Sequence, residues 1–266
     1  MTSVSSRPKE VTRSAFYDDD SLNYQDYWSG RDYEHEAEVT AIRRMLGGRS
    51  FRDAIDVGGG YGRLSTVLAD YAHRVTLVDA STKQIDMAER FLALHAEIDR
   101  HVMQAGNLSF AAGSFDLALM VRVLHHLPDP AAEFCELYRV LRPGGFALVE
   151  VANSAHVISR IRWLARLKTI PKSALDLRPS LTQQGDIPFV NHHPRTIVGQ
   201  LHAAGFTLEQ SLSVSNLRHP VLKAVLPMRS MLIAERLMQR PLARWTFGPS
   251  MFLLLRKRPS PPDARL

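Results

Sequence analysis

The residues best able to do chemistry stand at four places in the first half of the chain. The first is Asp56-Val57-Gly58-Gly59-Gly60-Tyr61-Gly62. Glycines reach positive φ at little cost and let a ligand approach the backbone. N–H groups opening a helix suit a carboxylate or a phosphate. The second is Asp79, 17 residues after Gly62, where one carboxylate could accept both hydroxyls of a ribose. The third is Asn107, an amide suited to an adenine edge, and the fourth is the run Arg122 to His126. The glycine spacing is G-x-G-x-G, with Arg63 where a dinucleotide fingerprint has its third glycine. That spacing counts against a pyrophosphate loop. So does Asp56, whose charge would repel two phosphates but suits a ligand with a cationic amino-acid end.

These residues need elements to bring them together. The segment Ala54–Val57 reads as a buried strand, followed by a helix with Leu64, Val67, Leu68 and Tyr71 on one face. A second strand spans Arg74–Asp79, and Ser81 with Gln84 forms a capping box for a helix that turns Ile85, Ala88 and Leu92 inward. A third strand is expected over 101–105 and a fourth over Phe115–Val121, whose near-continuous apolar run suits a strand covered on both faces. Asp129-Pro130 opens a helix, and Pro143-Gly144-Gly145 precedes the strand Phe146–Val151. A helix over 34–46 precedes all of these. The alternation predicts a parallel sheet with helices on both faces. Further on come a helix over Pro194–Ala204 and strands over Phe206–Ser213 and Phe247–Arg256, read as an antiparallel pair at the sheet edge. In such a sheet, ligands bind outside the carboxyl ends of the strands where the strand order reverses.

Four segments, "AIDVGGGYGRL", "VTLVDAS", "GSFDLALMVRVLHHLPDP" and "VLRPGGFALVEV", occur in that order. Together they resemble the signatures of class I S-adenosylmethionine-dependent methyltransferases, closest to the ubiquinone/menaquinone-type group. The likeness is close over 34–151 and looser at "HHPRTIVGQLHAAGF". It implies a Rossmann-like, doubly wound, mostly parallel seven-stranded sheet with an antiparallel C-terminal pair and helical insertions. It also implies S-adenosylmethionine as cofactor, with Gly58, Gly60 and Gly62 against the methionine portion and Asp56 and Gly59 beside them. Asp79 with Ala80 would take the ribose, Asn107 with Leu108 the adenine, and Arg122 the region of the methionine carboxylate or reacting centre. Many members have Asp at the position of Asn107. "WSGRDYEHEAE" resembles the N-terminal lid helix of some members, so Tyr24, Tyr27 and Trp28 would close over the ligands or simply pack a helix. The sulfonium activates the methyl group, so in-line displacement needs mainly alignment, which can supply up to ~7–11 kcal/mol. A base is needed only for an acceptor that keeps its proton. His125, His126 and His193 are the candidates, with packing or helix capping the alternative for each.

Charge divides the chain. Residues 1–151 hold 16 basic and 22 acidic side chains, and residues 152–266 hold 17 and 5. The basic excess lies in 152–180 and 217–246, where Val157, Ile161, Leu164 and Ala165 form an apolar stripe beside arginines. Arg229, Arg236, Arg240 and Arg244 would share a helical face if Pro241 does not divert it. Such helices could lie on an anionic bilayer or frame a substrate entrance. The leading acceptor is a small molecule. A membrane lipid or prenylated quinone is one alternative, and a non-catalytic cofactor-binding module another. Nucleic acid is disfavoured, because Arg122-Val123-Leu124-His125 replaces the Asn/Asp-Pro-Pro-aromatic segment of amino-methylating DNA enzymes. The single cysteine, Cys135, excludes a disulfide scaffold or cysteine zinc site and reads as a core thiol beside Phe134; no metal is expected. With no apolar leader or spanning run, the chain reads as cytoplasmic, with peripheral membrane contact as a variant. One domain is expected over 16–258, with a cofactor half at 34–151, insertions at 152–190 and 215–246, and mobile ends at 1–15 and 259–266.

Overall fold

A computed structural model describes residue 18 and residues 27–177 and 189–258. The expected mobile ends, 1–15 and 259–266, and Tyr24 lie outside the described residues. Seven strands form one sheet: β1 (Phe51–Val57), β2 (Ala72–Asp79), β3 (Ile98–Val102), β4 (Phe115–Met120), β5 (Leu141–Ala152), β8 (Phe206–Val214) and β9 (Ser250–Lys257). The two short strands β6 (Leu175–Asp176) and β7 (Val190–Asn191) pair separately. The sheet order is β3-β2-β1-β4-β5-β9-β8. The first five strands are parallel, and β9 runs antiparallel to both β5 and β8. The C-terminal pair is therefore antiparallel as expected, but β9 is interior and β8 is the edge. Because β9 reverses and β8 reverses again, β8 points the same way as β1 to β5.

Side chains alternate across the sheet with period two and feed two cores. Ala54, Leu117, Leu119, Leu148, Phe252 and Leu254 face one side. There they meet α1 (Asp32–Leu46), α2 (Ser65–Ala69), α3 (Thr82–Phe91) and, later in the chain, α8 (Met228–Ala243). Ile55, Ala118, Met120, Ala147, Val149 and Leu253 face the other side, against α4 (Ala131–Val140) and α6 (Pro194–Ala203). Cys135 corrects the sequence reading, because it is exposed. Phe134, Leu137 and Val140 make the inward stripe of α4, and a residue one step beyond Phe134 is turned about 100° away. The third strand also departs from expectation, ending at Val102 and not at 105.

At the amino ends of the strands, Asp53 joins three arginines. Its carboxylate takes Arg74 at 2.6 Å and Arg52 and Arg142 at 2.9 Å, while Arg142 also reaches Asp116 at 2.6 Å. Burial pushes the Asp53 carboxyl up, but the hydrogen bonds from Arg52, Arg142 and Arg74 win and bring it down to about 2. A depressed carboxylate stabilises the fold above its unfolded pKa, and that contribution is lost as pH falls through the folded value. Since Arg52 and Arg74 are largely exposed, Asp53→Asn is expected to cost only about 1–3 kcal/mol at neutral pH. In urea unfolding, its gap to the wild type should close between about pH 4 and pH 2.

Candidate functional site

The strand order reverses between β1 and β4, and a pocket opens there at the carboxyl edge. Its walls come from four successive strand ends. After β1 come Asp56, Gly58, Gly59, Gly60, Tyr61, Arg63 and Leu64; after β2, Asp79, Ala80 and Gln84; after β3, Met103, Gln104 and Ala105; after β4, Val121, Arg122, Val123, His126 and Leu127.

The glycines are required by contact as well as by dihedral. Gly58 has φ +70°, and a Cβ there would lie 2.4 Å from Val123. A Cβ on Gly59 would meet the Asp56 carboxyl at 2.8 Å. Gly62 does not line the pocket; at φ +91°, its missing side chain makes room for Leu92, 2.5 Å from a Cβ position. Asp79 ties the loop down, its Oδ2 accepting Gly60 N–H at 2.9 Å and its Oδ1 accepting Ser81 N–H at 2.9 Å. Burial pushes the Asp79 carboxyl up against those bonds. Asp56 accepts from Ser65 Oγ at 2.7 Å, and burial raises its carboxyl to about 6 despite that bond.

Half of the expected capping box forms. Gln84 N–H donates to Ser81 Oγ at 3.1 Å. The Gln84 amide does not return the bond, because Ser81 N–H is already given to Asp79. That amide is buried in the pocket wall with no partner for its Oε1 or Nε2 among the described residues. Buried polar groups left in this way point to a missing ligand or water.

Asn107 and Leu108 are not brought to the pocket. Since β3 ends three residues earlier than expected, Met103, Gln104 and Ala105 hold the place after the strand. Asn107 turns to solvent with its N–H on Gln104 O, and Leu108 enters the core.

Arg122 lies at the pocket with φ +64°, unusual for a side chain of its size. Its Nε and Nη2 reach Glu38 Oε1 at 2.8 and 2.6 Å. Arg63 reaches Glu38 Oε2 at 2.7 Å and lies 3.6 Å above the Trp28 ring. Glu38 is fully buried on α1; burial pushes its carboxyl up, but Arg122 and Arg63 outweigh that and hold it below the usual range. Trp28 thus backs the pocket through two arginines without lining it, while Tyr27 is partly exposed under Arg31 at 4.0 Å. His126 lines the pocket; the His125 ring lies tilted against it, 3.9 Å between centroids, and both rings meet Phe189. Burial, then His126 and Arg122, keep His125 neutral. His193 lies off the pocket, where it caps α6 by accepting from Arg195 N–H.

The donor set suits an adenosyl amino acid: a carboxylate at the end of β2, a glycine cradle, unpaired amide atoms beside them, and mixed charge at the reacting end. Fold and pocket together resemble those of class I methyltransferases that use S-adenosylmethionine. Residues 55–149 match the family model described as "Methyltransferase domain". It is 38% identical over 96 residues to 2-methyl-6-phytyl-1,4-hydroquinone methyltransferase of Synechocystis sp., a match covering 36% of this chain and 30% of that one. It is 29% identical to ubiquinone biosynthesis O-methyltransferase of Aromatoleum aromaticum, covering 50% and 61%. The chain thus spans less than two thirds of the length of these relatives. Among solved structures, it shares its fold with a possible histamine N-methyltransferase from Thermotoga maritima (TM-score 0.63, 17% identity, 92% and 100% covered). It shares it also with 1,6-didemethyltoxoflavin-N1-methyltransferase of Burkholderia thailandensis, solved with S-adenosylhomocysteine (TM-score 0.59, 19% identity, 97% and 93% covered).

Proposed function

We propose that this protein transfers a methyl group from S-adenosylmethionine to a small phenolic or quinol-type acceptor. The observation that carries the reading is the pocket at the strand-order reversal, where Asp79 and the glycine loop meet the unpaired Gln84 amide. The quinol class is supported by the names of the two relatives above. In this reading Asp79 holds the ribose, Gln84, Gln104 and Ala105 edge the adenine, and Gly58 to Gly60 with Asp56 face the amino-acid end. Bound there, the cofactor supplies an electrophilic methyl group. The protein's part is alignment of the acceptor and exclusion of water. For a hydroxyl acceptor, the pocket-lining His126 would take the proton. Transfer of tritium-labelled methyl into a panel of phenols and hydroquinones tests the reading. Labelled product from at least one hydroxylated ring is expected; no transfer to any of them by a folded, cofactor-binding protein overturns the acceptor class.

Peripheral contact with an anionic membrane fits the second half. α5 (Val157–Ala165) buries only Ser159, leaving Ile158, Ile161 and Leu164 exposed with Arg160, Arg162 and Arg166. α7 (Pro220–Val225) buries nothing. α8 turns Glu235 and Gln239 inward while Ile233 and Leu237 stay exposed at 63% and 70%. Pro241 lies within α8, and Arg229, Arg236, Arg240 and Arg244 are exposed along it and at its cap. Among the described residues no helix is long and apolar enough to cross a membrane. Each Lys or Arg near an anionic surface contributes about 1 kcal/mol, weakened by salt. Sedimentation with phosphatidylserine vesicles at low salt, lost at high salt, is expected; no sedimentation at low salt removes this contact.

A further inference from the structure

The turn that brings His126 to the pocket is held by a strand from far along the chain. That turn, Leu124–His126, is a short stretch of 3-10 helix. His126 N–H donates to Val123 O at 2.9 Å, and Leu127 N–H donates to Leu124 O at 3.0 Å. So short a helix has poor hydrogen-bond geometry and little stability of its own. The direction in which it points His126 must be set by what packs against it.

β7 and its flanks supply that support. His192, just after β7, is buried, and its Nε2 lies 2.9 Å from Leu124 O, 68 positions away in sequence. A carbonyl can only accept, so Nε2 carries the hydrogen and donates it. Burial pushes the His192 ring below its ordinary value, against the pull of the Leu124 and Leu127 carbonyls, so the ring is a neutral donor. Leu124 O already accepts Leu127 N–H, so it does not need His192 to be satisfied; what the second bond adds is position. Phe189, just before β7, meets the His126 ring at 5.9 Å and the His125 ring at 4.9 Å between centroids. The mount itself is fastened to the main sheet. His192 N–H donates to Ala152 O, at the end of β5, at 2.8 Å, and His192 O accepts Ser154 N–H at 2.9 Å. Position is thus passed from β5 through His192 to Leu124 and so to His126. His192 does not line the pocket, so it acts through that turn and not on a ligand.

We propose that His192 is a positioning residue for methyl transfer: its bond to Leu124 O holds the turn so that the His126 ring faces the acceptor. This rests on the reading of His126 as the base for a hydroxyl acceptor. In that step the acceptor oxygen gains the methyl group and its proton passes to the His126 ring. The bond broken is that between the methyl carbon and sulfur, and its electron pair stays on sulfur. A reacting group displaced by about 1 Å costs on the order of 100-fold in rate.

Two amide substitutions separate position from packing. Glutamine sets an amide nitrogen near the place of histidine Nε2 and keeps the donor, whereas asparagine is a methylene too short to reach Leu124 O. His192→Asn is expected to lower kcat for a phenolic acceptor by about 10-fold to 100-fold. KM and S-adenosylhomocysteine affinity should stay unchanged, and His192→Gln should restore most of the rate. A second readout needs no acceptor: the His126 ring signals in NMR of the chain saturated with S-adenosylhomocysteine, identified by their loss in His126→Gln. These should form a single sharp set in the wild type and His192→Gln, and be shifted or doubled in His192→Asn. A wild-type rate, unchanged ring signals, or loss of folding or of cofactor binding in His192→Asn overturns the proposal. So does a His192→Gln variant that behaves like His192→Asn. If the wild type methylates no phenol, the acceptor reading falls instead, and the ring signals alone decide whether His192 places His126. If it binds no S-adenosylhomocysteine, the cofactor reading falls, and the same signals are compared in the chain alone.

Discussion

Asp79→Ala is expected to weaken S-adenosylhomocysteine binding by roughly 30-fold to 1000-fold, or about 2–4 kcal/mol, while the protein stays folded. The size follows from two losses at one side chain. One is the acceptor proposed for the ribose hydroxyls, and a hydrogen bond to a charged group contributes about 1.5–3 kcal/mol. The other is the clamp on the glycine loop, since Asp79 also accepts the N–H groups of Gly60 and Ser81. Gly60 has φ +57°, a conformation that the released loop need not keep. Asp79→Asn retains the shape and one acceptor oxygen, so its loss should fall between wild type and alanine. Equilibrium dialysis reads the affinities, and a thermal melt confirms folding. Unchanged affinity in the alanine variant would remove Asp79 from the ribose site.

Glu38→Ala should have the largest effect on stability, a loss of about 3–5 kcal/mol, the range for removing one partner of a buried ion pair. Its carboxylate is fully buried and joins Arg63, beside the glycine loop, to Arg122, at the end of β4. Without it, two guanidiniums packed against Trp28 lose the carboxylate they share. Glu38→Gln keeps the volume and one oxygen, so it should destabilise less but still loosen the pocket wall. Because the arginines hold the carboxyl below its ordinary range, its contribution is present above that range and lost as pH falls through the lowered value. Urea unfolding at neutral pH measures the effect. A loss under about 1 kcal/mol would mean that the pair behaves like a surface salt bridge.

Legibility in the sequence follows the physics of each segment. β1, β2, β4 and β5 are buried strands whose apolar runs and flanking glycines are local signals, so the glycine loop and Asp79 could be placed directly. β3 is a short flank strand with Asp99, Arg100 and His101 at its centre, too polar to show a period. Its earlier end places Met103, Gln104 and Ala105, and not Asn107 and Leu108, in the pocket wall. Glu38, Arg63 and Arg122 lie 25 and 84 positions apart in the pairs they form, and no periodicity reports a contact of that range. Gln84 was visible as a capping residue, but its availability to a ligand depends on Asp79 having taken the Ser81 N–H first. The insertion of β9 between β5 and β8 is likewise a tertiary choice, made by the pairing of Phe146–Ala152 with Ser250–Arg256.

The pocket across β1, β2, β3 and β4 is expected to bind S-adenosylmethionine and its demethylated product. Equilibrium dialysis of the wild-type chain against radiolabelled S-adenosylhomocysteine tests it most directly. One saturable site per chain is expected, with affinity in the range of about 1 μM to 1 mM and sharply reduced by Asp79→Ala. A folded wild-type chain that retains no label at about 1 mM would contradict it.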